Sequence, residues 1–467
     1  MPGAAFVVEV LVGMLYLLDS LNRMIWGVHL LILILGVGVY ISIRCSFPQV
    51  RLFPEALKRF CGQFAHKDNN STSTSYRALC TALAATVGTG NLAGVAGAIA
   101  IGGPGSIFWM WVCSFFGMAT KFAEAVFAIL FRKKDHKGEY YGGPMYIICD
   151  GLPKGFHWLA TVYAFFGVVA SFGVGNTTQV NAILSGIRSV ENAYQLELPA
   201  WLYILIGFLL SILIFRIFSG GAKAVGEITQ KLVPVMSAGY ILLAVFVIVR
   251  NASEIPEVFR VILAGAFSPK AITGGVVGSM LTTLRIGASR GVFTNEAGMG
   301  TAAIAHSTST VVEPVHQGMM GMVEVFLDTV VICTLTAFVI LLSGIEIPFG
   351  CDVGVELTAD AFAASCGDWV RIPLAIALCC FGFATILGWG MYGASCATFL
   401  LGKGAWDKYK WLQSIMILAG AILNTATVWL LADIFNGLMA IPNLIALILL
   451  CPRLVAAMKQ YKKAPDC

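Results

Sequence analysis

Apolar runs of about twenty residues, separated by polar or Gly/Pro-rich segments, recur along the whole chain. A helix of roughly 20 apolar residues spans the hydrocarbon core of a bilayer, so each run predicts a transmembrane helix. The pattern predicts an all-α polytopic membrane protein with eleven spans, numbered here in chain order: 28–43, 76–101, 106–131, 155–185, 200–218, 232–249, 272–305, 318–343, 370–401, 411–432 and 434–455.

Composition and charge agree with this interpretation. The 467 residues are 58% hydrophobic and only 12% charged, whereas soluble domains are about 25% charged. If the N-terminus is outside, most loop lysines and arginines fall on the inner side, so we predict a plasma (inner) membrane protein with a cytoplasmic C-terminus. The net charge of +5 then faces anionic lipid rather than nucleic acid.

Span two is interrupted at its centre. Thr86–Asn91 places two glycines and an asparagine where a spanning helix should be most regular. Backbone groups left unpaired at membrane depth are tolerated only where they face protein, water or a ligand. A binding site is therefore one interpretation; a tight helix crossing is the other, because glycine also serves packing in membrane helices.

Span seven contains a second interruption, from Gly287 to Gly300. Span two runs from inside to outside and span seven runs from outside to inside, so five spans beginning at each form an inverted repeat. Gly-interrupted segments in corresponding positions of two halves mark the midplane site of secondary transporters. The predicted organisation is 1–75 (interfacial helix, extra span, cytoplasmic loop), 76–250 (first repeat), 271–456 (second repeat), 344–369 (extracellular loop or lid) and 457–467 (cytoplasmic tail).

A broken helix offers two kinds of binding group. Its free N–H end suits an anion such as a carboxylate, and its free C=O end suits a cation. In span two the donors are expected around Thr89, Gly90 and Asn91, and the carbonyl ligands for a cation at Ala84 and Val87.

Several motifs, in order over nearly the whole chain, are similar to those of the alanine or glycine:cation symporters. They are Gly88–Asn91, Gly102–Val112, Phe293–Gly300, Phe326–Thr329, Thr385–Trp389 and Trp429–Asn443. The resemblance implies Na+-coupled, sometimes H+-coupled, uptake of a small neutral amino acid. It also implies a leucine-transporter-type fold of five plus five helices with one extra N-terminal helix.

The resemblance also implies roles for individual residues. Thr385 matches the hydroxyl that completes the Na+ shell with Ala84 and Val87, although it could equally be a packing threonine. The substrate is expected to contact both breaks and a pocket wall. Trp389 and Phe172 are the candidates for this wall, and the alternative for both is ordinary packing in the protein core. The candidate substrate residues are Thr89, Gly90, Asn91, Phe172, Gly291, Phe293, Thr294, Asn295 and Trp389.

Thr294 and Thr301 stand where the family more often has serine. Threonine keeps the hydroxyl, but its extra methyl group could narrow the pocket and shift the preference among neutral amino acids.

Charged residues inside spans are functional candidates by default. Asp328 could bind a cation, take up a proton or pair with Arg290. Lys121 and Glu124 lie three residues apart on one side of span three, which predicts an ion pair.

The outer loop after span eight has a predicted short helix at about 355–364; in the resembled fold this loop is an extracellular lid. Cys351 and Cys366 in this loop could form a disulfide on an oxidising side.

The predicted function is import of alanine or glycine with Na+ by alternating access. One alternative is H+ coupling through Asp328, and another is a preference for glutamine or serine. An ion channel is disfavoured, because the inverted repeat does not build a ring of identical subunits. No HExxH motif is present and the six histidines are scattered along the chain, so we expect no enzyme activity.

Overall fold

The computed structural model describes residue 13 and residues 16–65, 70–136, 138–351, 353–422 and 425–463. Within these ranges the chain is almost entirely helical, and two short strands, Lys133–Lys134 and Tyr140–Tyr141, pair in antiparallel fashion. Eight helices of the described part are long and apolar enough to cross a membrane, and a bent pair of helices makes a ninth candidate. The protein is therefore a multi-pass membrane protein.

Residues 16–25 are helical. Up to residue 272, further helices follow at Val28–Arg44, Pro48–Arg51, Phe53–Ala65, Asn70–Thr86, Gly90–Gly94, Val95–Gly102, Ser106–Leu130, Pro144–Gly151, Lys154–Phe156, Trp158–Phe172, Gly173–Thr177, Thr178–Ala193, Ala200–Ser219, Gly221–Arg250, Ala252–Glu254, Ile255–Phe267 and Pro269–Ile272.

The remaining helices form the second half of the chain. They are Met280–Asn295, Thr301–His306, Pro314–Val325, Phe326–Cys333, Thr334–Leu342, Val355–Cys366, Asp368–Val370, Arg371–Leu401, Ala405–Ile422 and Thr425–Lys463.

Two of the eleven predicted spans are not among the nine candidates. Span seven is divided into helices too short to cross alone, and the helix Ala405–Ile422 in span ten has only 18 residues. Three of its first six residues are charged, which lowers its apolar character, and residues 423–424 lie outside the described part. The count of eleven and the five-plus-five repeat therefore stay predictions. The predicted interfacial helix at the start of the 1–75 segment falls mostly outside the described residues.

The interruption predicted in span two is present. The α-helix Asn70–Thr86 ends at Thr86 and residues 87–89 are non-helical. The chain then continues as the π-helical segment Gly90–Gly94. The helices on either side are bent by 52°. We call residues 87–89 the first break.

The interruption in span seven is shorter than predicted. The helix Met280–Asn295 continues through Gly287 and Gly291, and the chain leaves the helix only at Glu296, which has φ +55°. A Cβ atom built on Gly287 would lie 2.4 Å from the carbonyl oxygen of Ser106. This glycine therefore lets two helices approach closely and does not break its own. We call residues 296–300 the second break.

Two more π-helical segments occur, at Gly173–Thr177 and Phe326–Cys333. Such wide turns interrupt the regular hydrogen-bond ladder and are frequent at functional sites. The segment Phe326–Cys333 lies against Gly90–Gly94, so irregular backbone is concentrated beside the first break.

The loop predicted to be extracellular carries the helix Val355–Cys366, close to the predicted bounds. The Thr358 hydroxyl donates a hydrogen bond to the Leu92 carbonyl at 3.2 Å, which connects this loop to the segment after the first break. Cys351 and Cys366 are both free thiols, so the structure contains no disulfide between them.

Candidate functional site

Asn91 connects the first break to span eight. Its side-chain oxygen accepts a hydrogen bond from the Gly88 N–H at 2.8 Å, and its Nδ2 donates to Asp328 Oδ1 at 2.7 Å. Both side chains are completely buried. One amide thus holds the turn of the first break and orients a carboxylate from a distant part of the chain.

The first break has open hydrogen-bond donors. Among the described residues, the N–H groups of Thr89 and Gly90 have no hydrogen-bond acceptor. Gly90 faces the second broken span, since a Cβ atom built there would lie 3.6 Å from the ring of Phe293 and 3.7 Å from Cγ2 of Thr294. The N–H groups therefore lie beside two of the predicted substrate residues.

Gln179 is a residue of this region whose role in the site was not predicted. Thr89 Oγ1 donates to Gln179 Oε1 at 2.8 Å, and Gln179 Nε2 donates to the Val174 carbonyl at 2.8 Å. The sequence signal at this position is a polar amide in an apolar span, which by itself indicates only hydrogen bonding between helices. The structure adds that its partner is the first break.

The N–H groups of the second break are already occupied. Those of Gly298 and Gly300 donate to Glu124 Oε1 at 3.0 Å each, and Asn443 Nδ2 donates to the same oxygen at 2.8 Å. The carboxylate of Glu124 thus takes the position at which a helix N-terminus would bind an anion. Of the two breaks, the first is therefore the one with open N–H groups for an anion.

The predicted ion pair between Lys121 and Glu124 is wrong. The Lys121 ammonium lies 2.7 Å from Glu324 Oε1 on another helix, and both side chains are fully buried. Glu124 is used by the second break instead, as described above. Spacing along one helix identified both charges but could not indicate partners that lie far away in the sequence.

Trp389 and Glu296 form a contact across the second break. Trp389 Nε1 donates to Glu296 Oε1 at 2.7 Å, and Thr301 Oγ1 donates to Glu296 Oε2 at 2.6 Å. A left-handed backbone at a non-glycine residue is costly, and these bonds compensate for it at Glu296. Trp389 is buried, and its ring lies against Gly175, where a Cβ atom would be 2.0 Å from Cβ of Trp389.

Two of the three predicted Na+ ligands, Ala84 and Thr385, come together at the end of the helix Asn70–Thr86. Thr385 Oγ1 donates to the Ala84 carbonyl at 3.2 Å, and a Cβ atom on Gly88 would lie 2.5 Å from the same hydroxyl. Val87 is buried. Carbonyl and hydroxyl oxygens are the ligands of a hard cation, and a helix C-terminus adds negative potential.

Asp328 is the centre of a second group of oxygen atoms. Its Oδ2 accepts a hydrogen bond from Thr329 Oγ1 at 2.8 Å, and this hydroxyl in turn lies 3.5 Å from Thr294 Oγ1 and 3.1 Å from Asn295 Nδ2. Between Asp328 and Arg290, both of which the structure describes, there is no salt bridge. The structure therefore connects Asp328 to both broken spans and not to an arginine.

Two predicted substrate residues face neighbouring helices. The ring of Phe172 stacks on Tyr409, with the centroids 5.2 Å apart. A Cβ atom on Gly291 would lie 3.4 Å from Cα of Met110 and 3.5 Å from Cβ of Cys113. These contacts support helix packing at both positions.

A family model described as the sodium:alanine symporter family matches residues 13–466. The chain is 39% identical over 453 residues to the sodium/alanine symporter AgcS of Methanococcus maripaludis, covering 96% of this chain and 97% of that one. It is 36% identical to the amino-acid carrier protein AlsT of Bacillus subtilis, covering 96% and 92%. It is also 36% identical to the probable sodium/glutamine symporter GlnT of the same organism, covering 95% and 89%.

Among solved structures, the crystal structure of MhsT in complex with L-phenylalanine is similar in fold. The TM-score is 0.56 at 14% identity, and the match covers 82% of this chain and 97% of that one.

Proposed function

Because this chain belongs to the sodium:alanine symporter family, we propose that it is a secondary active symporter that imports a small neutral amino acid, alanine or glycine, with Na+. The observation that carries the proposal is the first break. It combines open N–H groups at Thr89 and Gly90 with the Ala84 carbonyl and the Thr385 hydroxyl.

The substrate carboxylate binds to the N–H groups of Thr89 and Gly90, where the half-helix that begins there contributes its positive end. The side chain points towards Phe293 and Thr294, which already lie 3.6 and 3.7 Å from the position of a Cβ atom on Gly90. A space this narrow favours alanine or glycine over a longer side chain.

Na+ binds to the carbonyls of Ala84 and Val87 and to the hydroxyl of Thr385. Asp328 provides a further cation position, oriented by Asn91. A cation and a carboxylate bound at one break attract each other, so each raises the affinity for the other by the same factor. That reciprocity couples uptake to the Na+ gradient.

Alternating access exposes this site first to the outside and then to the cytoplasm, in a plasma (inner) membrane with the N-terminus outside. The two five-helix repeats move relative to each other around the breaks. The helix Val355–Cys366, bonded to Leu92 through Thr358, is the extracellular lid.

The test is uptake into proteoliposomes with an imposed Na+ gradient at equal pH on both sides, scanned over neutral amino acids. We expect Na+-driven accumulation of alanine or glycine. Uptake that requires a proton gradient and no Na+ would overturn the coupling ion, and a preference for glutamine would overturn the substrate.

Two substitutions test the site itself. Asn91→Ala and Thr385→Ala should abolish Na+-dependent uptake while the protein still reaches the membrane, because each removes an oxygen ligand or its orienting partner. Thr385→Ser should keep much of the activity, since the hydroxyl remains. Thr398→Ala is the matched control, because its hydroxyl only bonds to the Ala394 carbonyl of its own helix. Wild-type uptake in both alanine variants would refute the assignment.

A further inference from the structure

An apolar groove of about 290 Å³ ends at the first break. One of its walls consists of Tyr76, Cys80, Leu83 and Val87. These residues follow one another at intervals of four, three and four positions, which places them on one face of the helix Asn70–Thr86 and of the residue after it. The groove therefore follows the inner half of the first broken span up to the break.

The opposite wall belongs to the helix Gly221–Arg250, which contributes Val233, Pro234, Ser237, Ala238 and Ile241. The π-helical segment Phe326–Cys333 adds Leu327 and Ile332. Leu327 directly precedes Asp328, and Val87 directly precedes Gly88. The groove thus lies against residues whose chain neighbours belong to the candidate site.

The groove is open towards the bilayer. The helix Gly221–Arg250 is long and apolar enough to cross a membrane, and only 28% of its most apolar stretch is buried in the protein. Ala238 on this helix is exposed. Most of the described lining side chains are purely apolar, and an apolar cavity does not hold ordered water. In a membrane the occupant of such a groove is lipid hydrocarbon.

The length of the groove matches one leaflet. Tyr76 and Val87 are eleven residues apart, which corresponds to about 16 Å along a helix. Half of the hydrocarbon core of a bilayer is about 15 Å thick. With the predicted orientation, Tyr76 lies at the cytoplasmic end of span two and Val87 lies near its middle. The groove therefore covers the depth that one acyl chain of the inner leaflet occupies.

A lysine lies at the inner end of the groove. Lys231 precedes Pro234 by three positions and Ala238 by seven, so it shares a helix face with these two lining residues. Lys231 is exposed and directly precedes predicted span six, at the level of the lipid headgroups. A lysine ammonium binds phosphate as a point charge. The inner end of the groove is thus suited to a headgroup phosphate.

We propose that this groove binds one phospholipid of the inner leaflet, with an acyl chain between the two walls and the phosphate at Lys231. Bulk lipid is as apolar as the groove, so transfer of hydrocarbon from the bilayer gives no preference for the site. The preference comes from van der Waals contact along both walls and from the contact between the phosphate and Lys231.

The bound chain supports the first break from its lipid side. It packs on Val87 and Leu327, whose neighbours Gly88 and Asp328 contact the Thr385 hydroxyl and the Asn91 amide, respectively. Without the chain, these apolar side chains lose dispersion contacts on one side, and the break is held less firmly. Lipid and Na+ should therefore raise each other's affinity by the same factor.

Photocrosslinking tests the site independently of transport. The protein is placed in nanodiscs that contain a small fraction of phosphatidylglycerol with a diazirine in one acyl chain, and cross-linked peptides are identified by mass spectrometry. We expect cross-links on the peptides that contain Cys80 or Ser237. Ala238→Phe fills the groove and should lose them. Lys231→Gln should reduce them about fivefold, the effect of one lysine near a membrane surface.

Two control variants make the same chemical changes elsewhere. Val249→Phe adds a ring at an exposed position near the outer end of the same helix. Lys223→Gln removes a charge that lines a different cleft. Both variants should cross-link as the wild type does.

A second measurement rests on the proposed function. The Na+ dependence of thermal stabilisation gives the apparent Na+ affinity in detergent, after removal of lipid and after phosphatidylglycerol is added back. We expect the affinity to fall at least about fivefold without lipid, the lower end of the usual coupling between two ligands. In Ala238→Phe the ring replaces part of the chain, so the affinity should depend less on lipid than in Val249→Phe.

Equal cross-linking of the groove peptides in the wild type and in Ala238→Phe would refute the lipid site. A wild type that excludes the probe and forms a dimer, which Ala238→Phe dissociates, would assign the groove to a second copy of the chain. The same Na+ affinity with and without lipid would refute the support of the first break. Absence of Na+-dependent stabilisation under all conditions, with the cross-links present, would refute only the proposed function.

Discussion

At the scale of single residues, the site depends on close approach. Gly88 is the position where the first break touches span nine, because the Thr385 hydroxyl occupies the space that a Cβ atom would need. Glycine is required at this position because the Thr385 side chain leaves no room for a Cβ atom. Its backbone conformation does not require glycine, since its φ is not positive.

Gly88→Ala should therefore abolish Na+-dependent uptake. The new methyl carbon would lie 2.5 Å from Thr385 Oγ1, so the hydroxyl must turn away from the Ala84 carbonyl and from the cation. Na+ affinity, measured by the Na+ dependence of thermal stabilisation, should fall with it. Gly94→Ala is the control, since its methyl group would make an ordinary contact of 3.6 Å with Thr294. Equal Na+ affinity in both variants would contradict this account.

At the scale of elements, the two breaks differ in whether their backbone N–H groups have hydrogen-bond acceptors. The first break leaves N–H groups open, while the second uses Glu124 from the helix Ser106–Leu130 as an internal anion. Only a break with unoccupied donors can bind a substrate carboxylate. This difference supports the proposed separation of roles, with substrate binding at the first break and structural support at the second.

Glu124→Ala should destabilise the protein strongly. Three buried donors would lose their acceptor, and each unpaired donor costs about 1–3 kcal/mol. Glu124→Gln keeps one oxygen at this position and should lose much less stability. The melting temperature in detergent measures both variants, with the exposed Glu257→Gln as a control. Similar melting temperatures for Glu124→Ala and the wild type would show that the second break does not depend on this carboxylate.

At the scale of the whole molecule, charge determines orientation. Basic residues in loops are retained on the cytoplasmic side, and the predicted inner loops and tail hold most of them. The outer loop that contains Val355–Cys366 and the C-terminal end of Thr425–Lys463 should therefore lie on opposite sides of the membrane.

An epitope inserted after Gly344 should bind antibody on intact cells, whereas an epitope at the C-terminus should bind only after permeabilisation. Gly344 is exposed and has no neighbour near its Cβ position, so the insertion should be tolerated. Labelling of the C-terminal epitope on intact cells would reverse the predicted topology.

Much of the fold was predictable, because a membrane helix needs about twenty apolar residues. An interruption of such a helix is marked by residues that are unusual within it, such as glycine and asparagine. Gly88, Gly90 and Asn91 identified the first break correctly. Gly287 and Gly291 misled the prediction of the second, because glycine serves both to end a helix and to pack one. The count of eleven spans and the roles of the site residues are still predictions.

The sequence by itself determined the class of protein, the position of the first break, the family and the expected side of each loop, since these follow from local patterns of apolar, charged and glycine residues. The tertiary structure decided the partners. Glu324 pairs with Lys121, Glu124 fills the second break and Gln317 bonds to His306. Such pairings depend on how separate helices pack against each other. The spacing of residues along one helix carries no information about the distance between side chains on two different helices.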